Sequence, residues 1–215
     1  MTNILAIQAR LDTAMVTFTN ASWTDSFPFF QAGDALPLAS PANAGNGTLT
    51  VQSVAPQAAI GGYVVKIVAG PFGTTPAQFM VLDPTSQIVA IGNTGTEISA
   101  GGILITLSAG STPFAVGDSF TLTVLPAPLD VTGITFNLML RTSAGATIPS
   151  LKASTKDGTL INGGEAGQAA LRIPTATMSD LSAGSYVYDL IASADDYDVL
   201  AYAGTVDHRQ GVTAL

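Results

Sequence analysis

The stretch from Ile134 to Arg141 constrains the fold more than any other segment, because its side chains alternate in character. Every even position from Ile134 to Leu140 is large and apolar, whereas Thr135, Asn137 and Arg141 occupy odd positions. Successive side chains of a β-strand point to opposite faces of a sheet. The pattern therefore predicts a strand with one buried face.

Shorter apolar segments recur along the whole chain and are separated by turn signals. The sequence contains 22 Gly and 12 Pro, many of them in pairs such as Gly61-Gly62 and Asp83-Pro84 that favour turns. We predict short helices at 5–11 and 177–181, and we predict strands at 14–19, 48–54, 63–69, 78–82, 87–91, 103–108, 119–124, 169–173, 186–191 and 199–206. This pattern is typical of an all-β protein.

Two changes in composition suggest domain boundaries. Residues 39–47 are small or polar and read as a linker, and residues 125–128 contain two prolines, which cannot continue a central strand. A first piece of 44 residues is too short to bury a core by itself. We therefore predict a discontinuous β-sandwich formed by residues 1–44 and 126–215, with a small β-sandwich or barrel inserted at 45–125. Three consecutive domains are the alternative.

The charge of the chain excludes some partners and favours others. Only 10% of the residues are charged, the net charge is -8, and no cluster of Lys or Arg is present. Nucleic-acid affinity rests on cationic side chains, so we predict no nucleic-acid binding. A surface poor in charge loses little when it is desolvated against a neighbour. The composition therefore predicts an assembled state, with a homo-oligomer among the possibilities.

The sequence lacks the features of disulfide-bonded, secreted and membrane-spanning proteins. The chain contains no Cys, so disulfides and thiolate metal sites are excluded. The first residues lack the basic start and apolar run of a secretion signal, and no stretch approaches the length of about 20 apolar residues that spans a bilayer. We predict neither secretion nor membrane anchoring.

Few residues are candidates for catalysis. His208 is the only histidine, and Asp207 beside it invites a comparison with a Ser-His-Asp triad. Adjacent strand residues point to opposite faces, so Asp207 cannot orient His208 in this way. Glu97 and Glu165 are the only glutamates and lie beside turn residues without an apolar pocket. We predict no catalytic residue and interpret His208 as a polar residue at an edge or interface.

Two further groups could bind ligands. The acidic segment 195–198 offers carboxylates to calcium but lacks the spacing of a calcium-binding loop, and we interpret it as a solvated hairpin. Trp23, Phe27, Phe29 and Phe30 could stack on a sugar, although their apolar surroundings favour a place in a core or interface. The sequence thus predicts no metal site, no cofactor and no enzymatic activity.

Motifs in the outer segments resemble domains of phage tail-tip proteins. The segments WTDSFPF at 23–29, PLDVTGITFNL at 128–138 and LSAGSYVYDL at 181–190 are similar to the N-terminal domain of upper baseplate proteins of lactococcal phages. In that family the Trp-containing segment usually runs directly into the Leu-Asp-Leu-Thr-Gly-like strand. Here residues 39–128 intervene, which fits an inserted domain.

The intervening segment resembles a second phage family. GTLTV at 47–51, GGYVV at 61–65, VLDP at 81–84 and FAVGDSFTLTV at 114–124 look like the β-rich module of head-decoration proteins. The two resemblances imply a structural virion protein, assembled in the bacterial cytoplasm. Its expected partners are a tail hub, fibres or neighbouring copies. The alternatives are a capsid decoration protein and a host carbohydrate-binding module.

Overall fold

The computed structural model describes residues 4–7 and 9–212, and nearly all of its regular structure is β-strand. The all-β prediction is therefore confirmed. In chain order, the described residues form a 3-10 turn (Ile4–Ala6), β1 (Arg10–Phe18), β2 (Trp23–Pro28), β3 (Phe30–Ala39), β4 (Thr48–Val54), β5 (Gly61–Ala69), β6 (Gln78–Leu82), β7 (Ile88–Asn93), β8 (Glu97–Ala100), β9 (Ile103–Ser108), β10 (Ser119–Pro128), β11 (Thr135–Arg141), β12 (Leu151–Ser154), β13 (Leu160–Asn162), a 3-10 turn (Gly164–Ala166), β14 (Gln168–Ile173), α1 (Thr175–Asp180), β15 (Gly184–Ala194) and β16 (Tyr197–Arg209).

The chain divides into two units, each with its own core. The first unit contains the residues up to Phe30 and those from Pro128 onward, and the second unit is Gln31–Ala127. The sequence places the first boundary after residue 44, whereas the structure places it after Phe30.

The first unit packs a five-stranded sheet against a three-stranded one. The order in the large sheet is β1-β16-β15-β11-β12, and β1 runs parallel to β16 while the other pairs are antiparallel. The small sheet has the order β13-β14-β2. Phe136, Leu138 and Leu140 on β11 are fully buried in the shared core. The burial expected from the alternation along this strand is confirmed.

The second unit also contains two sheets around one core. Its five-stranded sheet has the order β3-β10-β5-β6-β7, and its three-stranded sheet has the order β4-β9-β8. Tyr63, Val65 and Ile67 alternate along β5 and are buried against residues of β9 such as Ile103 and Ile105. The alternation on these strands fixes which side of each sheet faces the core.

Residues 39–47 are held against the second unit and do not form a free linker. The buried carboxylate of Asp118 accepts hydrogen bonds from the backbone N–H groups of Ala44 (2.8 Å), Gly45 (2.9 Å) and Ala115 (2.9 Å). A Cβ added at Gly47 would lie 2.2 Å from the ring of Phe114, so the backbone packs directly on that ring. This tethering, together with the pairing of β3 with β10, explains why the first boundary lies earlier than the composition suggests.

Some predicted elements differ from the observed ones. The helix predicted over residues 5–11 is wrong, since the described residues form a 3-10 turn at Ile4–Ala6 and β1 begins at Arg10; residue 8 lies outside the described part. The predicted helical turn near Leu181 is present as Thr175–Asp180. The sequence missed β2, β3, β8, β12 and β13. Within the described residues, no helix has the length and apolar character needed to cross a membrane.

Candidate interaction surface

His208 is buried within a sheet and is not positioned for catalysis. Only 1% of its surface is exposed, because β16 lies between β1 and β15. Its Nδ1 lies 2.8 Å from Oγ1 of Thr17, and its Nε2 is buried without a hydrogen-bond partner among the described residues. Asp207 forms an ion pair with Arg209 (2.7 Å) instead. The interpretation of His208 as an edge or interface residue is wrong.

The acidic segment 195–198 forms the hairpin between β15 and β16. Asp195 and Asp196 occupy its turn, where Asp195 has a φ of 53°, and Tyr197 and Asp198 begin the second strand. All four residues are exposed. The interpretation as a solvated hairpin is confirmed, and no group of three or more acidic or histidine side chains in the described part of the chain could hold a metal ion.

The two glutamates belong to different units. Glu97 is exposed at the start of β8 in the second unit, and Glu165 is exposed in the 3-10 turn Gly164–Ala166 of the first unit. Neither glutamate is buried in an apolar pocket of the kind that a glycosidase acid occupies. They therefore offer no basis for a glycosidase mechanism.

Most of the aromatic cluster belongs to the core of the first unit. Trp23, Phe27 and Phe29 are at most 4% exposed, and Phe29 stacks on Phe136 with 5.1 Å between ring centroids. Phe30 is 40% exposed and lies beneath the guanidinium of Arg10. The preference for a core position is confirmed for three of the four residues, and they do not form a platform for sugar stacking.

A polar cleft of about 700 Å³ lies beside α1 in the first unit. The Ser179 hydroxyl donates to the carbonyl oxygen of Thr19 (2.8 Å), and the Thr19 hydroxyl accepts from the N–H of Gly211 (2.9 Å). These bonds connect α1 with the ends of neighbouring strands. We assign the cleft a structural role, since its hydroxyl groups are used by the fold.

An apolar face on the large sheet of the second unit is the most distinctive surface of the described residues. We define this apolar face by the outward-pointing side chains of β5, β6 and β7, which are Val64, Val68, Met80, Leu82, Ile88 and Ile91. The face ends at β10, where Ser119 and Thr121 pair with Lys66 and Val64. The strand register places the residues of the apolar face side by side: Val64 pairs with Leu82, Leu82 with Ile88, and Met80 with Ile91. Paired residues lie on the same side of a sheet, so their side chains form a continuous surface.

The exposure of the apolar face is high for residues of this type. Ile88 and Ile91 are 58% and 59% exposed, and Val64 is 40% exposed. Within β5, β6, β7 and β10, all of which the structure describes, Lys66 is the only charged residue. A continuous apolar surface with one cation is typical of a protein interaction site.

The large sheet of the first unit presents a different outward face. There Arg141 lies 3.7 Å from Asp189, and Asp207 forms its ion pair with Arg209. These charged side chains keep the sheet hydrated. This sheet also exposes apolar residues, Leu11, Val16 and Phe18 on β1, but they share the face with these ion pairs.

The sequence carries a signal for this face within β5. From Tyr63 to Val68 the chain is apolar at five of six consecutive positions, and only Lys66 interrupts it. A strand that is apolar at both odd and even positions is typical of a sheet covered on both faces. One face of β5 packs on the core of the second unit. No strand of this unit packs on the other face.

Comparisons with known proteins leave the family open. No family model matches the chain, and no curated protein matches it either. Two crystal structures of Xanthomonas campestris FlgL are 28% and 26% identical, with TM-scores of 0.33, and the match covers 46% of this chain and 32% and 31% of theirs. The flagellar junction protein FlgL from Legionella pneumophila is 15% identical, with a TM-score of 0.34 and coverage of 46% and 36%.

The chain spans about a third of the length of these structures. TM-scores of this size do not establish a shared fold, so nothing about the function of this chain follows from them. None of the three is a phage protein. The resemblance to phage virion families therefore stays a prediction.

Proposed function

We propose that this chain is a non-enzymatic structural subunit of a tailed-phage particle, located at the tail tip or baseplate. The apolar face of the second unit is the observation that carries this proposal. A large apolar surface exposed on a soluble chain favours a role in which that surface is covered by a neighbour. The resemblance of segments 23–29, 128–138 and 181–190 to baseplate proteins supports the tail location.

The proposed mechanism is assembly by interface burial. The first unit would dock on a central hub, and the second unit would contact neighbouring subunits or fibres. Symmetry in a particle repeats each contact many times, so weak single interfaces add up to a stable structure. The low charge of the chain reduces the desolvation cost of each contact.

A capsid decoration protein is the second candidate, favoured by the resemblance of segments 47–51, 61–65, 81–84 and 114–124 to head-decoration modules. In that case the second unit would bind the capsid lattice. A carbohydrate-binding role has lost its main support, because Trp23, Phe27 and Phe29 are buried.

Locating the chain in intact particles tests the proposal. Antibodies raised against the purified chain would be applied to phage particles whose genome encodes this chain. Cryo-electron microscopy would then show where the antibodies bind. Labelling at the tail tip is expected. Labelling on the capsid would instead support decoration, and detection of the chain in host flagella with none in virions would overturn both candidates.

A purified-component experiment adds a biochemical test. The chain, immobilised through a terminal tag, would be incubated separately with phage tails and with empty capsids. We expect retention of tails. A variant with Ile91→Glu tests whether the apolar face contributes, and Ile161→Glu is a matched control, since Ile161 is an exposed isoleucine on a strand of the first unit.

A further inference from the structure

A second cleft of the first unit lies on the outward face of its large sheet. It has a volume of about 390 Å³ and is lined mainly by residues of β11, β15 and β16. Residues that lie directly opposite one another on neighbouring strands share a face of a sheet. The strand register therefore places two adjacent rows of lining residues across the cleft, which are Met139, Asp189 and Ala203 in one row and Arg141, Val187 and Thr205 in the other.

Much of this lining is aliphatic or small. Met139, Val187 and Leu200 supply aliphatic surface, while Ala203 and Gly204 have little or no side chain to fill the space between the strands. Ligand clefts in proteins typically have volumes of about 300–1,000 Å³ and are mostly apolar, with a few polar groups that orient the ligand. The volume and lining of this cleft agree with that description, so it suits a ligand with an aliphatic part.

The guanidinium of Arg141 is the cation of this cleft, and the described residues give it no strong hydrogen-bond acceptor. Its Nε is buried without a partner. Its Nη2 donates to Sδ of Met139 (3.2 Å), and a thioether sulfur is a weak acceptor. Its Nη1 lies 3.7 Å from a carboxylate oxygen of Asp189, which is beyond the usual hydrogen-bond limit of about 3.2 Å. Most of the bonding capacity of this guanidinium is therefore unused.

Arg209 on the same sheet shows a guanidinium that is well bonded. Its Nε and Nη2 lie 2.8 Å and 2.7 Å from one carboxylate oxygen of Asp207. The side chain of Arg209 is 57% exposed, whereas that of Arg141 is only 26% exposed. A donor that is shielded from water and has no acceptor costs more free energy than one that water can reach. Arg141 is thus the less hydrated and the less bonded of the two, and an added acceptor would stabilise it.

A carboxylate is the acceptor that best matches this cleft. A planar carboxylate can accept two parallel hydrogen bonds from a planar guanidinium. Because Nε is buried, these bonds would come from Nη1 and Nη2 of Arg141. Asp12 and Asp189 also line the cleft and repel anions. A carboxylate with its single negative charge meets less of this repulsion than a phosphate, which carries nearly two.

Asp12 provides a second polar group at the cleft. It has a φ of 62° and lies at the bulge between Arg10 and Thr13, where the pairing of β1 with β16 is interrupted. Residues other than glycine rarely adopt this conformation, and such strained positions are frequent at ligand-binding sites. The carboxylate of Asp12 offers an acceptor to an N–H or O–H group of a ligand.

We propose that this cleft binds a carboxylate that carries an aliphatic group. The two Nη groups of Arg141 hold the carboxylate, and Met139, Val187 and Leu200 contact the aliphatic part. The site goes beyond the proposed structural function, since all of its residues belong to the first unit. A free aliphatic acid offers this chemistry, and so does a glutamate between aliphatic residues of a partner protein.

Titration of the full ¹⁵N-labelled chain with hexanoate at pH 7, followed by NMR, tests the proposal. We expect saturable shifts of the Nε–H signal of Arg141 and of backbone N–H signals at 139–141, 187–189 and 203–205. The Kd should be about 1–10 mM, which is reasonable for a probe of this size. Sodium chloride at matched concentrations controls for ionic strength. Absence of saturable shifts at these positions would overturn the site.

Two uncharged or oppositely charged probes of similar shape test the choice of ligand. Hexanamide and hexylammonium should each bind at least about tenfold more weakly than hexanoate, because neither can accept two charge-assisted bonds from Arg141. Preferential binding of hexylammonium would overturn the proposal, since Asp12 and Asp189 would then define a site for cations.

Substitutions of Arg141 test its role directly. Arg141→Met should weaken hexanoate binding by at least about tenfold, and Arg141→Lys should also weaken it, because lysine keeps the charge but lacks the planar pair of donors. Arg172→Met is the matched control and should leave the Kd unchanged, since Arg172 is exposed on β14 of the same unit and does not line the cleft. Thermal melting of each variant would confirm that it is folded. Unchanged binding by a folded Arg141→Met variant would contradict the proposal.

Asp189→Asn tests the site while leaving Arg141 in place, so it remains informative if the Arg141 variants do not fold. Removing the negative charge 3.7 Å from Nη1 should strengthen hexanoate binding by at least about threefold, because the ligand then meets less repulsion. Weaker binding of hexanoate by the folded Asp189→Asn variant would overturn the proposed position of the carboxylate.

A pair of capped peptides distinguishes the two sources of the carboxylate. Acetyl-Leu-Glu-Leu-amide would be compared with hexanoate, and acetyl-Leu-Gln-Leu-amide is its neutral control. Binding of the glutamate peptide at least about tenfold more tightly than hexanoate would assign the site to a partner protein. Weaker binding of the peptide would assign it to a free acid.

Failure of this proposal and failure of the proposed function are distinguishable. A chain that is found in virions but binds neither hexanoate nor the glutamate peptide overturns the carboxylate site and leaves the structural function standing. A chain that binds hexanoate through Arg141 but is absent from virions does the reverse.

Discussion

The hydroxyl of Thr17 lies 2.8 Å from Nδ1 of His208, in a buried contact that joins residues 191 positions apart. Thr17 is on β1 and His208 is on β16, so the contact lies within the parallel pairing of the first and last strands of the chain. Thr17 is the hydrogen-bond partner that the structure gives to this buried imidazole.

Replacing Thr17 with Val should destabilise the first unit by about 1–3 kcal/mol, because the imidazole of His208 would then be buried without a partner. Thr17→Ser keeps the hydroxyl and should recover most of the loss. Urea unfolding followed by circular dichroism measures the difference. Equal stability of the Val variant and the wild type would mean that the bond contributes nothing.

Gly204 allows β1 to approach β16 closely. A Cβ added there would lie 1.8 Å from the carbonyl oxygen of Thr13. Gly204→Ala should therefore force the strands apart and cost about 3 kcal/mol. Gly145→Ala is the matched control, since a Cβ at Gly145 meets nothing within 4 Å. Thermal melting of both variants provides the comparison, and a similar melting temperature for the two would contradict the prediction.

Asp118 should make the stability of the second unit depend on acid pH. Burial alone would raise the pKa of its carboxyl, but hydrogen bonds from the N–H groups of Ala115, Ala44 and Gly45 outweigh burial and lower the pKa below 3.8. A lowered pKa in the folded state stabilises the protein above the unfolded value and loses that stability as pH falls through the folded value.

Asp118→Asn should therefore destabilise the second unit by about 1–3 kcal/mol at pH 7, because an amide group cannot accept all three bonds. The difference from the wild type should shrink as the pH falls from 4 toward 2. Chemical unfolding at a series of pH values measures this difference. A gap that stays constant down to pH 2 would argue against the carboxylate as its cause.

Tyr188 should contribute to unfolding at alkaline pH. Burial raises the pKa of its hydroxyl from 10.0 to about 12. A raised pKa in the folded state gives stability that is fully present below pH 10 and is lost as the pH rises through 12. Tyr188→Phe should remove this contribution, so the variant should lose less stability than the wild type between pH 10 and 12.

At pH 7 the same Tyr188→Phe variant should be as stable as the wild type or slightly more so. The buried hydroxyl has no hydrogen-bond partner of good geometry in the described part of the chain, so its removal leaves no orphaned group. Denaturant unfolding at pH 7 and pH 11 tests both statements. A loss of more than about 1 kcal/mol at pH 7 would show that the hydroxyl is satisfied.

The two units should respond separately to core substitutions. Phe136 in the first unit and Phe79 in the second are both fully buried. Replacing either with Ala should cost about 3–5 kcal/mol in its own unit. Amide hydrogen exchange should show reduced protection confined to that unit. Reduced protection throughout the chain in either variant would mean that the units fold together.

Local pattern was enough to predict the strands with a strong alternation and the class of the fold. Residues 134–141 carry a period of two that is independent of any partner, and the burial of Phe136 and Leu138 follows from it. The aromatic residues at 23, 27 and 29 were correctly assigned to a core because they lie close together in an apolar segment. Strand geometry also predicted correctly that Asp207 does not orient His208, since Asp207 pairs with Arg209.

Contacts between distant segments were decided by the tertiary structure alone. His208 is buried because β1 pairs with β16. Residues 39–47 pack on the second unit because the N–H groups of Ala44 and Gly45 donate hydrogen bonds to the carboxylate of Asp118. The apolar face is exposed because no other strand of its unit covers it. Alternation along a strand determines which of its residues share a face of the sheet. Which strand pairs with it on each edge depends on interactions with distant segments, and a short stretch of sequence does not contain that information.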